Sequence, residues 1–172
     1  MELTLKLDKS IESKKLCSML SAGGYSDDMT PFYTRNLVIL DVKSHGPITK
    51  QNLVYAADSL IKHLPEPYTI LLKSDFKANT AASLQNFSKI SSEEGTKQLY
   101  QMLSEGKCLA HSNYFSMIPQ NLEIFWERFF AYFGKKYLVL VVFSIFDIAY
   151  GDISFLLINQ QKAAFFTFFT TD

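Results

Sequence analysis

Met1, Leu3, Leu5 and Leu7 alternate with polar residues, the period of a strand with one buried face. Asp8 or Ser10 can cap a following helix that carries Ile11, Leu16, Met19 and Leu20. Gly23-Gly24 reads as the end of that helix, because glycine accepts the left-handed cap conformation. Tyr25 to Arg35 mixes Ser, Asp, Thr and Pro without periodicity and reads as a long loop.

Asn36 to Val42 (NLVILDV) is a short apolar run bounded by turn residues, the mark of a strand buried on both faces. The tetrapeptide SHGP turns the chain. Thr49 then caps a helix whose Leu53, Ala57, Leu60, Ile61 and Leu64 fall on one face. Pro65 and Pro67 stop it, and Tyr68 to Lys73 (YTILLK) returns as a strand. Strand, helix and strand with short joints predict a βαβ unit with parallel strands.

Asn79 to Ile90 is weakly periodic and is read as helical. Ser91 with Glu94 fits a capping box for a helix through Leu99, Met102 and Leu103 to Gly106. Lys107 to Gln120 is a second long loop. Leu122, Phe125, Trp126, Phe129, Phe130 and Phe133 form the clearest helical stripe, with Gly134 as its cap. An aromatic stripe at helical spacing is read as core rather than as a ligand pocket.

From Tyr137 to the end the only charged side chains are Asp147, Asp152, Lys162 and Asp172. YLVLVVFSIF, ISFLLIN and AAFFTFFTT predict three strands joined by turns at Ala149–Asp152 and Asn159–Lys162, an antiparallel meander. Phe166 and Phe168 point one way and Phe165 and Phe169 the other, so helices or another chain must cover both sides. The expected class is α+β: an N-terminal βαβ-type unit, a helical middle and the meander, in one mixed sheet packed by helices. No repeat or linker divides residues 1–172, which are read as one domain.

Composition narrows the function classes. Apolar residues make up 48% and aromatic ones 15%, too much apolar surface for a disordered chain. Seventeen basic and 17 acidic residues cancel, so the total charge gives no pull toward nucleic acid or an anionic membrane. The apolar run from Tyr137 to Ala149 is too short to cross a bilayer and is broken by Asp147. Cys17 and Cys108 match neither a zinc spacing nor a disulfide framework. The N-terminus lacks an apolar signal core, and the expected location is the cytoplasm.

Candidate chemistry begins at Asp41-Val-Lys43, a carboxylate and a lysine at a buried strand's end, with Asp27 and Asp28 in the preceding loop. The pattern is similar to metal-dependent nucleases of the PD-(D/E)xK type. There the carboxylate holds a divalent cation and the lysine positions the attacking water. The proline-aspartate element is absent, and Asp75-Phe76-Lys77 repeats the D-x-K pattern nearby, so ordinary strand-end charges are the favoured reading of it. His45, His63 and His111 lie in separate segments, and Cys108 with His111 lacks a flanking catalytic signature. Ser74-Asp75 stands where a parallel strand would end, a common ligand position that a turn and cap also explain. No phosphate-cradling glycine motif occurs, so neither a cofactor nor a metal is expected.

The loops hold the more unusual aromatics. Tyr25, Phe32 and Tyr33 flank Asp27 and Asp28, and Tyr114 with Phe115 sits among polar residues. Aromatic anchors beside polar groups on long loops are what protein-binding surfaces use. The favoured reading is a small cytoplasmic protein-binding module, an inhibitor such as a bacterial immunity protein that occupies a basic toxin partner. Two alternatives stand beside it: the metal-dependent nuclease at Asp41 and Lys43, and an oligomeric subunit joined through the apolar C-terminal strands.

Overall fold

Lys162–Thr170 (KAAFFTFFT) carries phenylalanine on both faces, and such a strand is stable only where both faces and both edges are covered. In the computed structural model it lies inside a sheet, flanked on each side by another strand. Residues 3–25, 31–62, 89–105, 116–143, 145–146 and 151–170 are described. They form β1 (Leu3–Leu7), α1 (Ile11–Leu20), β2 (Ala22–Tyr25), β3 (Pro31–Ser44), α2 (Lys50–Lys62) and β4 (Lys89–Ile90). α3 (Ser92–Glu105), α4 (Pro119–Phe133), β5 (Leu138–Phe143), β6 (Gly151–Ile158) and β7 (Lys162–Thr170) follow.

The sheet runs β1-β3-β7-β6-β5-β4, with β2 also on β3. Every pairing among the described residues is antiparallel. The architecture is α+β, with strands at both ends of the chain and helices between. β5, β6 and β7 form the expected meander. The return strand expected at Tyr68–Lys73, and with it the parallel pairing of the βαβ unit, lies outside the described residues.

Alternation along the strands sorts the core into two layers. Val38, Leu40, Leu156, Phe165 and Phe169 meet Leu53, Ala57, Leu60 and Ile61 of α2 on one face. Leu37, Ile39, Phe155, Phe166 and Phe168 meet α1, α3 and α4 on the other. The phenylalanine stripe of α4 is core, as its spacing implied; only Phe130 among its rings is part-exposed. The cover of the C-terminal strands therefore comes from the chain's own helices. Among the described residues β6 and β7 are flanked by strands on both sides, whereas β5 carries only the two-residue β4 on its outer edge and ends in Phe143, 46% exposed.

Local caps follow the sequence closely. Ser10 accepts the Ser13 N–H at the start of α1, while Asp8 accepts the Ser10 N–H. Thr49 and Asn52 bond reciprocally at the start of α2, and Ser91 accepts the Glu94 N–H before α3. Gly134, at φ 94°, closes α4 with its N–H on the Phe130 carbonyl. Three expectations change. Ile11 is 74% exposed, because it is the first helical residue and faces away from the sheet. Lys89 and Ile90 are a two-residue strand on β5 rather than helix. Pro119 and Gln120 belong to α4, where proline suits the first turn because its missing N–H would have no partner.

Part of the α2 face is polar. Asn36, Thr167 and Ser154 are successive cross-strand neighbours on the α2 face, and Thr34 stands opposite Phe169 one row on. Thr34 Oγ1, Asn36 Nδ2, Ser154 Oγ and Thr167 Oγ1 are buried without a hydrogen-bond partner. Each such group forfeits its water contacts at a cost of about 1–3 kcal/mol.

Candidate functional site

The first predicted loop is largely a hairpin. α1 ends at Leu20 because Ser21 turns extended (φ −69°, ψ 128°), and the chain runs straight on as β2. Gly23 and Gly24 are thus strand residues on a sheet edge, not a helix cap. They pair with Thr34 and Tyr33, and after a register shift Tyr25 stands opposite Pro31. Pro31 tolerates this place because it is the first residue of β3. Tyr25, Phe32 and Tyr33 therefore lie on two neighbouring strands, at the end of the sheet where β2 is outermost. Asp27 and Asp28, between those strands, lie outside the described residues, as do Tyr114 and Phe115.

Arg35 joins the two predicted segments. Its Nε donates to the Leu20 carbonyl at the end of α1, and its Nη1 donates to the Ser116 carbonyl at 3.1 Å. Ser116 directly follows Phe115 in the chain, and Arg35 stands two residues beyond Tyr33. One guanidinium thus ties the end of α1 and Ser116, the residue after Phe115, to β3. Nothing in the sequence marked Arg35 for this role beyond its being one of only two arginines.

Asp41 and Lys43 share a face of β3 but do not act on each other. Asp41 Oδ1 receives Lys162 Nζ at 2.5 Å from its cross-strand partner, while Lys43 is exposed opposite Thr4. Among the described residues no three His, Cys, Asp or Glu side chains gather as a metal site. His45 is exposed in the turn after β3. His63, Ser74, Asp75, Cys108 and His111 lie outside the described residues.

Lys162 is the centre of an ionic node that sequence reading did not assemble. Its Nζ also reaches Asp8 Oδ2 at 2.9 Å and the Tyr132 hydroxyl at 3.0 Å, and it lies 4.7 Å from the centre of the Tyr132 ring. Tyr132 donates to Asp8 and is hydrogen-bonded to Ser10. Burial alone would raise the Asp8 pKa, but hydrogen bonds from Tyr132, Lys162 and Ser10 outweigh it and bring the group to about 2. Burial likewise opposes charge on Lys162, yet Asp41, Tyr132 and Asp8 hold its pKa above the ordinary lysine value. Both groups stay charged through the neutral range, so neither can trade a proton there. The node is a clamp joining β1, α1, α4, β3 and β7, not an acid–base pair. The available signal was Lys162 itself, an isolated cation in an otherwise apolar run.

Cys17 is equally passive. Burial pushes its thiol up to about 11, although Ser13 and the Ile39 backbone hydrogen-bond to it. A thiol so rarely ionised is a poor nucleophile. No helix among the described residues is long and apolar enough to cross a membrane.

No protein-family model, curated protein or solved structure matches the chain.

Proposed function

We propose that the chain is a protein-binding module of the cytoplasm, an inhibitor of the kind that occupies a partner with a basic surface, such as a bacterial toxin domain. The observation that carries the reading is Arg35, which holds Ser116 beside the β2–β3 hairpin. It brings Ser116, the residue after Phe115, to the strand that carries Tyr33. Rigid attachment favours binding, because less chain entropy is lost when the partner docks. Asp27 and Asp28 supply the charge that would draw a basic partner in. The free thiol of Cys17 is in keeping with a reducing compartment.

The test is affinity capture from the native host, followed by titration of the captured partner with wild type, Tyr33→Ala and Asp28→Lys. Tyr33→Ala is expected to weaken binding by about 2 kcal/mol or more, the usual loss for an aromatic anchor. Asp28→Lys is expected to slow association, most strongly at low salt. Unchanged affinity in both variants would remove the hairpin from the interface.

A further inference from the structure

Between α3 and the last turn of α4, ahead of β5, runs an open groove of about 760 Å³. Its lining includes Thr96, Lys97 and Tyr100 of α3 together with Phe130, Lys135 and Tyr137. The aromatic surface there is ordered. Tyr100, half exposed, stacks on Trp126 with ring centres 6.3 Å apart, and Trp126 stacks on Phe130 at 5.0 Å. Trp126 is buried behind both, and its indole N–H has no partner. Tyr137 is fixed by a hydrogen bond to Thr96.

Charge in the groove is arranged by position. Lys97 and Lys135 line it without an ion pair among the described residues. Glu93 and Glu105 also line it, but they sit at opposite ends of α3, roughly 18 Å apart by helix rise. The two carboxylates are therefore too far apart to hold one cation together, and Lys97 and Lys135 offer an anion two cations in the same groove as the rings. The volume falls within the range of about 300–1,000 Å³ usual for small-molecule sites. A partner helix would need a continuous apolar stripe to rest on, and the apolar lining of this groove is limited to the rings of Tyr100, Phe130 and Tyr137.

We propose that this groove binds a small aromatic anion, its ring against Tyr100 and Phe130 and its carboxylate or phosphate between Lys97 and Lys135. The site shares no residue with the hairpin surface and does not depend on the protein-binding reading. Trp126 is the only tryptophan of the chain and stacks on two of the lining rings, so its emission reports on them.

The experiment titrates the full chain with phenyl phosphate and benzoate, and with phenol and benzylamine as neutral and cationic controls. Tryptophan emission is followed together with ligand-observed NMR. The anions are expected to bind saturably and more tightly than both controls. Lys97→Ala and Lys135→Ala should each weaken the anions severalfold while leaving phenol unchanged, and Tyr100→Leu should weaken all ring-bearing ligands. Both lysines are exposed, so their variants are expected to keep the wild-type melting curve. Failure of both anions to bind by either method up to about 10 mM, the floor of meaningful affinity, would overturn the proposal. So would benzylamine binding as tightly as benzoate, or anion affinity indifferent to both lysine variants.

Discussion

Lys162 answers three oxygens at once, and two of them belong to carboxylates. Removing one partner of such a cluster leaves Asp8, whose side chain is almost fully buried, as an uncompensated charge. Lys162→Met is therefore expected to cost about 3–5 kcal/mol, read from urea unfolding. The pH dependence has a definite sign. The folded Asp8 pKa lies below its ordinary 3.8, at about 2, so the node's contribution is complete above pH 4 and is lost as pH falls through 2. Removing Lys162 should move that acid loss to higher pH. An unchanged acid limb in the variant would mean that Tyr132 and Ser10 hold the carboxylate without the lysine. Thr167 presents the opposite case, a buried hydroxyl without a hydrogen-bond partner, set between Asn36 and Ser154 of the neighbouring strands. Thr167→Val keeps the shape and deletes the orphan, so stability should rise by about 1 kcal/mol. A fall on denaturant titration would show that the hydroxyl is satisfied in solution. Neither residue was legible as a contact: Lys162 stood out as a lone charge, but Asp8 is 154 positions away and no spacing connects them.

Elements whose signal is local could be read from the chain, and those whose signal is a partner could not. Thr49 with Asn52, and Ser91 with Glu94, fix two helix starts within four residues of sequence. The phenylalanine pairs of β7 reveal their two faces by alternation alone. β2 escaped because Ala-Gly-Gly-Tyr has no strand pattern and exists as a strand only through its pairing with β3. Gly95 is another element-level feature that the sequence conceals. It sits in α3, where glycine is normally unfavourable by about 1 kcal/mol against alanine. A Cβ at that position would meet the Val139 side chain at 2.6–3.0 Å, so the missing atom is what lets α3 lie on β5. Gly95→Ala should therefore lose more by overpacking than it gains in propensity, a net destabilisation of about 1–2 kcal/mol. Thermal melts that show a gain would mean that Val139 yields without cost.

At the scale of the whole molecule the chain closes on itself through its last strand. β3 runs beside β7 from Tyr33↔Thr170 to Asp41↔Lys162, so the centre of the sheet joins the first quarter of the sequence to the last residues. The apolar runs near the C-terminus predict a buried meander but not its neighbour, since pairing between distant strands leaves no periodic trace. The consequence is strong dependence on the C-terminus. β7 supplies Phe165 and Phe169 to the α2 layer, Phe166 and Phe168 to the other layer, and Lys162 to the ionic node. Without it β3 and β6 would each expose a full edge and both cores would open along one line. A chain ending at Asn159 is therefore expected to lack a cooperative unfolding transition, with its far-UV signal reduced and its near-UV aromatic signal lost. Chains that retain β7 should fold slowly for their size, because the central pairing must wait for the most distant contacts. Stopped-flow refolding and thermal melts of the two lengths check both statements. A truncated chain that melts cooperatively would show that β1, β3 and α1 hold together without the strand that binds them to the meander.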